Sequence, residues 1–289
     1  MAAGGRGRRP PGGARRSERD RPPPRRGQTS DLGPRIAVAI PGLAFAGLIV
    51  GYGDWVFTAG LFLLGAVCLH ELFGMYAFTN PTRLGALIGL AGLLVAAQAG
   101  DRGTVLLAFV AAVPVVFLLC LAQPRPAGMP GVSVTMLGLA WIGLGWAHGV
   151  MLRDLPHGDG IVLSILVGTF VGDSGAYLGG RLVGLRKLAP SISPNKTVEG
   201  LLIGFVAGVA GVWFAGLYEE WLSGVQALIL GAAIAATAPL GDLFESYVKR
   251  DAGVKDTGRL FGAHGGALDR LDALLFTAVT GFYVWNAML

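Results

Sequence analysis

The sequence predicts an all-α, polytopic integral membrane protein of about nine transmembrane helices, and three observations carry that expectation. Of 289 residues, 53% are hydrophobic and only 14% charged, more apolar surface than a soluble domain of this size can bury. From Ile36 to Leu289, apolar windows rich in Leu, Ala, Val and Gly follow one another, each near the roughly 20 residues that cross a bilayer as a helix. The windows are continuous rather than alternating, which is the pattern of helices and not of barrel strands.

Along the chain, residues 1–35 stand apart. They hold ten Arg against Glu18, Asp20 and Asp31, with runs such as RRPPGGARR and DRPPPRRG, a composition that cannot build a core. A disordered basic cytoplasmic tail is expected, serving as a topology anchor or adhering to anionic headgroups. Its net charge of +7 exceeds the +5 of the whole chain, leaving −2 for the rest. The basic balance therefore belongs to the tail, and nucleic-acid binding is not expected. The charged stretch is too long for a cleaved signal peptide and leads straight into further spans.

The spans are expected at 36–52, 55–76, 84–99, 104–121, 133–151, 160–179, 200–221, 224–241 and 267–288. Those in 36–155 form an N-terminal membrane region, and 156–289 a C-terminal one in which the polar chemistry gathers. Cys68 and Cys120 fall inside apolar spans, where a small packing role fits and no disulfide framework is indicated. With the tail inside, 20 of the 23 Lys and Arg lie in the tail or in inner loops, Arg102 and Arg153 lie outside, and Arg270 lies within the last span. This bias orients the protein with its two long inner loops in the cytoplasm.

Both loops carry ionisable groups at or inside a span, where they are costly enough to suggest function. In the first, Gly172 to Gly200, Asp173 sits in the inner half of the sixth span among glycines that permit close approach. It can cap, pair with Arg181, or join a site. SPNKTVEG follows from Ser193, where Ser193 or Asn195 can cap a helix with Glu199 in its first turn. Capping gives no reason for Lys196, since a cation opposes the helix dipole there; a phosphate at a capped helix start does.

In the second loop, Gly241 to Phe276, Asp242, Glu245, Ser246 and Lys249 share one face if the eighth span stays helical beyond 241. Asp269 and Asp272 share another. Carboxylates brought together need a proton or cation between them, and Mg²⁺ is the natural ion, because it takes one or two carboxylates and completes its shell with phosphates and water. Lys249, Arg250, Lys255 and Arg259 would then hold phosphates. A salt-bridged loop, with Asp269 paired to Arg270 or Lys249, explains the same spacing. His264 before Gly265-Gly266 can be a base, a phosphate ligand or a turn residue.

At this point the residues resemble the bacterial phosphatidate cytidylyltransferases, also called CDP-diacylglycerol synthases. Ser246, Lys249, Arg250, Lys255, Asp256, Gly258, Phe261, Gly262, His264, Gly265, Gly266, Asp269, Arg270, Leu271 and Asp272 fall in register with that family's long gapped signature. Asp173, Ser174, Ala176 and Tyr177 match its upstream D-[ST]-x-A-Y pattern, and Ser193, Pro194, Lys196, Thr197, Glu199 and Gly200 its S-P-x-K-T-x-E-G pattern. The first five spans match only in hydropathy and in LHELFGMY, which contains Glu71. Ala267, where a larger aliphatic is usual, is a departure that touches packing, and the tail lies outside the pattern.

The resemblance implies the reaction CTP + phosphatidate → CDP-diacylglycerol + pyrophosphate at the cytoplasmic face of the inner (plasma) membrane. It implies Mg²⁺ on Asp242, Asp269 and Asp272, with a second cation as an extension. Lys196, Lys249, Arg250 and Lys255 are assigned to phosphates, Ser193, Ser246 and His264 to positioning, and Arg270 to the aspartates or a phosphate. Asp173 joins the site or holds a helix junction. A homodimer is a guess that no residue supports. A transporter is the rival from another class, but polar residues gather at one membrane boundary instead of lining a path. A lipid-linked kinase or another CTP-using membrane enzyme is the nearer rival.

Overall fold

The computed structural model describes residues 32–125, 127–258 and 265–289, apart from the side chains of 32–40. The tail up to residue 31, with Arg259, Phe261, Gly262 and His264, lies outside the described residues. Nine apolar helices follow in order: α1 (Leu32–Tyr52), α2 (Asp54–Met75), α3 (Arg83–Ala99), α4 (Arg102–Leu121), α5 (Gly128–Asp154), α6 (Gly158–Val183), α7 (Val198–Gly216), α8 (Gly224–Asp251) and α9 (Leu268–Met288). Seven are long and apolar enough to cross a membrane; α3 and the Pro41–Tyr52 part of α1 are apolar but shorter. Among the described residues, length therefore accounts for seven of the nine expected crossings.

Local chemistry sets most boundaries. Thr82, Asp101 and Thr197 cap α3, α4 and α7 by accepting from the backbone N–H three residues on, and Ser223 with Gln226 forms a capping box on α8. The cap of α7 is a correction to the sequence reading, which put it at Ser193 or Asn195. Ser193–Thr197 is instead strand β2, paired antiparallel with β1 (Lys187–Ala189) in a small hairpin. Helix α7 also stops at Gly216, short of the expected 221, because residues 217–223 turn and fold Leu222 back onto Gly216. Helix α8 does run ten residues past 241, so Asp242, Glu245, Ser246 and Lys249 lie on one continuous helix. Within α5 the segment Leu139–Gly143 takes the wider π turn, which no sequence pattern announced.

The core centres on Leu69, Leu72, Phe73, Leu90, Leu93, Leu94, Leu139 and Ile142, all essentially inaccessible. Helix α5 joins this core to the C-terminal helices, its Gly145 lying against Leu275. In the C-terminal part small residues let backbones touch, as lipid-embedded helices require. A Cβ on Gly204 would meet that of Ala176 at 2.6 Å, and one on Gly208 would meet the Gly168 carbonyl oxygen at 3.2 Å. The end opposite the hairpin is closed by aromatics: His157 stacks on Trp221 at 4.5 Å, and Trp285 Nε1 donates to the Pro156 carbonyl at 2.9 Å.

One close approach decides the site. A Cβ on Gly241 would stand 2.5 Å from the Asp272 carbonyl oxygen and 2.8 Å from Ala273 Cα. Helix α8 can therefore lie on α9 at the level of Asp242 and Asp272 only while residue 241 is glycine. Gly241→Leu is expected to force the helices apart at a cost of about 1–3 kcal/mol. The check is thermal unfolding in detergent; a variant with the wild-type midpoint would remove this contact from the account.

Candidate active site

Four elements converge at the end of the bundle that carries the hairpin: the last turns of α6, strand β2 with the start of α7, the second half of α8, and the first turn of α9. Between α6, β2, α7 and α8 lies a cavity of about 520 Å³. Its polar end holds Asp173, Tyr177 and Arg181 from α6, Ser193, Asn195 and Lys196 from β2, and Asp242 from α8. Gly168, Gly172, Gly180, Gly200 and Gly204 form much of the remaining wall, so backbone lies at the surface of the cavity where side chains would have filled it.

Lys196 Nζ donates to Asp242 Oδ2 at 2.6 Å, both side chains being about one-quarter exposed. The strand conformation aims Lys196 at Asp242, and the Gly241 contact fixes how near Asp272 comes. Asp272 is buried, with its carboxyl group close enough to Asp242 to interact with it directly. Asp173 is close enough to Asp242 and Lys196 to interact with both electrostatically. No ion pair joins Asp173 to Arg181 among the described residues.

A second cluster stands on the α8–α9 side. Lys249 Nζ donates to Glu245 Oε2 at 2.6 Å and to Asp269 Oδ1 at 2.7 Å. The other oxygen of Asp269 accepts from Thr257 N at 3.0 Å, Thr257 Oγ1 at 2.9 Å and Gly266 N at 2.7 Å. Gly265, at φ +82°, adopts a left-handed turn that an L side chain would strain. The Lys249–Asp269 pair is one of the two that the salt-bridged reading of the sequence named, and it ties the ammonium expected on phosphate to two carboxylates.

The expected trio of Asp242, Asp269 and Asp272 is thus divided. Among the described residues no three His, Cys, Asp or Glu side chains form a group that could hold a metal ion, and both oxygens of Asp269 are engaged elsewhere. What remains for a cation is the Asp242–Asp272 pair. Two carboxyl groups brought this close need a proton or a cation between them. The donor set fits Mg²⁺, which needs one or two protein carboxylates.

The other expected residues divide as well. Ser193 lines the cavity. Arg250 donates from Nε to the Ile192 carbonyl at 3.2 Å and from Nη1 to that of Val254 at 3.4 Å, stapling the hairpin to α8. Ser246 is half-buried on α8, whereas Lys255 and Arg270 are exposed. Glu199 turns away from the cavity, accepting from Leu185 N, Arg186 N and Arg186 Nε at 3.0–3.1 Å.

Three residues to which the sequence reading gave no role stand at or beside the site. Thr257 touches Asp269, and the Tyr76 hydroxyl donates to Asp251 Oδ2 at 2.7 Å and to the Val248 carbonyl at 3.2 Å. Burial, then Asp251, pushes the Tyr76 phenol above its ordinary pKa. Glu71 is buried and meets the backbone at the start of α9. A lone carboxylate within the apolar LHELFGMY run was the one available signal for it.

Comparison with known proteins places the chain among relatives. A family model described as the cytidylyltransferase family matches residues 34–288. A phosphatidate cytidylyltransferase of Synechocystis sp. is 32% identical over 286 residues, covering 86% of this chain and 94% of that protein. One of Brucella suis is 32% identical over 265 residues, 90% and 94% of the two chains. One of Mycobacterium bovis is 35% identical over 169 residues, 56% of this chain and 55% of the other.

Proposed function

The chain belongs to the cytidylyltransferase family, and from that premise we propose that it transfers the cytidylyl group of CTP to phosphatidate, forming CDP-diacylglycerol and pyrophosphate. The observation that carries the reading is the Lys196–Asp242–Asp272 contact at the polar end of a cavity between membrane-crossing helices. A nucleotide triphosphate and a lipid phosphate are both anionic. A site for them needs fixed cations, acids able to hold a metal, and access from lipid.

In the reaction a phosphate oxygen of phosphatidate bonds to the α-phosphorus of CTP, and the bond from that phosphorus to the bridging oxygen of pyrophosphate breaks. The nucleophile already carries negative charge, so no side chain need take its proton. The protein's work is alignment and neutralisation of crowded phosphates. Lys196 and Arg181 face the cavity with charge for the phosphates, and Ser193 and Asn195 with hydrogen bonds. The glycine wall admits the bulk of the substrates. Asp242 and Asp272 would hold Mg²⁺, which when bound supplies Lewis-acid neutralisation of phosphate charge.

The deciding experiment uses purified protein in detergent with phosphatidate and CTP labelled at the α- or the γ-phosphate. Label from the α-phosphate should enter lipid in the presence of Mg²⁺ and cease with chelator. Label entering from the γ-phosphate would identify a lipid kinase instead, and label from neither would return the transporter reading.

The same proposal puts the hairpin and the site in the cytoplasm of a plasma-membrane protein, on the strength of the basic bias of these loops. In right-side-out vesicles, Arg186→Cys should be protected from an impermeant thiol reagent and Asp154→Cys labelled. The reverse pattern would overturn the orientation.

A further inference from the structure

Helix α9 begins at Leu268 with no side-chain cap from its own N-cap residue, Ala267. A helix start leaves up to four backbone N–H groups without intrahelical partners, and buried ones must find acceptors. Here the acceptor comes from across the bundle. Glu71 Oε1 accepts from Ala267 N and Oε2 from Leu268 N, each at 2.9 Å, over a sequence separation of nearly 200 residues. The carboxylate is only 6% exposed, and it stands at the positive end of the helix dipole.

Its surroundings are shaped to receive it. A Cβ on Gly258 would meet Glu71 Oε1 at 2.6 Å, and one on Gly266 would collide with Oε2. Both glycines let backbone close onto the carboxylate. The Thr257 hydroxyl lies 3.1 Å from Glu71 Oε2 and 2.9 Å from Asp269 Oδ2. One hydroxyl with a single proton thus stands between two carboxylates, and the second of these grips Lys249. One turn further along α9 is Asp272, in contact with Asp242 at the cavity.

We infer that Glu71 is a positioning residue for the transfer: acting through Thr257 and the backbone start of α9, it sets where Asp269 and Asp272 stand relative to α8. The inference rests on the proposed cytidylyl transfer for its kinetic readout, though not for its structural one. It makes α2, remote in sequence from the signature residues, part of the device that sets the acidic pair. Lys196 and Ser193 stand on β2 and do not depend on this contact, so binding of CTP should be largely spared.

The test compares the Glu71→Gln, Glu71→Asp, Thr257→Val and Glu71→Gln/Thr257→Val proteins with wild type in detergent. It measures kcat, KM for CTP, thermal unfolding, and hydrogen exchange of the peptide containing residues 266–268. In Glu71→Gln one backbone N–H must face an amide NH₂. We expect kcat per folded molecule to fall by about tenfold, with KM for CTP within about twofold and faster exchange at 266–268. Glu71→Asp, one methylene short, should fall between. The double variant should be no worse than Glu71→Gln by more than about twofold, because the two residues act in one chain.

Unchanged kcat with protected amides would overturn the inference, as would a loss explained wholly by a smaller folded fraction. Full additivity in the double variant would overturn the route through Thr257. Should Glu71→Gln not fold, Thr257→Val decides, since it leaves the α9 amides capped: a fall in kcat at constant KM supports the inference, and wild-type kcat sinks it. If wild-type protein makes no CDP-lipid, the reaction reading falls, and the exchange data still judge the contact by themselves.

Discussion

The Asp242→Asn variant is expected to lose about 10³-fold in kcat at saturating CTP and phosphatidate, while remaining folded. The side chain keeps its size, and the position is on a cavity wall where it is about one-quarter exposed, so little packing is lost. The charge relations do not survive. The amide NH₂ would face either the Lys196 ammonium, now 2.6 Å from Oδ2, or the Asp272 carboxylate, and in neither orientation can it bind a metal as an anion. Asp272 would then be a buried acid without the partner that makes the pair a fit for Mg²⁺. Initial rates over a Mg²⁺ titration test this. A higher Mg²⁺ requirement beside the lower kcat is the expected result. Near-wild-type kcat at ordinary Mg²⁺ would remove Asp242 from the reacting centre and leave it as the anchor of Lys196.

How much of this was legible depends on the range over which each feature is determined. The spans were readable because a run of apolar residues matched to bilayer thickness is a local property. The extension of α8 to Asp251 was readable because Asp242, Glu245, Ser246 and Lys249 keep helical spacing. The hairpin was not, since three- and five-residue strands with Pro194 in one of them give no alternating pattern to detect. At the site, the residue types were readable and their pairing was not. Asp242 meets Asp272 because Gly241 lets two helices touch, and Asp269 turns to Thr257 and Gly266 because the chain closes there on Glu71. Both depend on contacts between segments far apart in sequence. The expected trio treated Asp269 and Asp272, three apart on one helix turn, as facing the same partner, whereas Asp269 bonds Lys249, Thr257 and Gly266. His264, singled out by its place before two glycines, lies outside the described residues.

The division of the acids leads to a second expected result, on stability as well as rate. In Asp269→Asn no orientation of the new amide satisfies its neighbours. With its oxygen toward the Thr257 and Gly266 amides, its NH₂ points at the Lys249 ammonium; turned the other way, it points at two backbone N–H donors. Breaking a largely buried, multiply bonded carboxylate in this way costs about 3 kcal/mol, enough to lower the thermal midpoint in detergent by about 5 °C or more. Lys249→Met should also destabilise, by leaving Glu245 and Asp269 facing each other without a cation. The double variant Lys249→Met/Asp269→Asn differs from both. The amide can keep its oxygen on the backbone donors and turn its NH₂ to Glu245, which stands within hydrogen-bond reach of Asp269. Its thermal midpoint should therefore recover most of the loss, an interaction of the kind shown by residues in one network, while its activity stays about tenfold or more below wild type because a positive charge has gone from beside the acids. A double variant as unstable as the sum of its parts would mean that Lys249 and Asp269 stabilise the fold separately. Recovery of activity along with stability would assign this cluster to holding α9 alone, leaving the chemistry to the groups around the cavity.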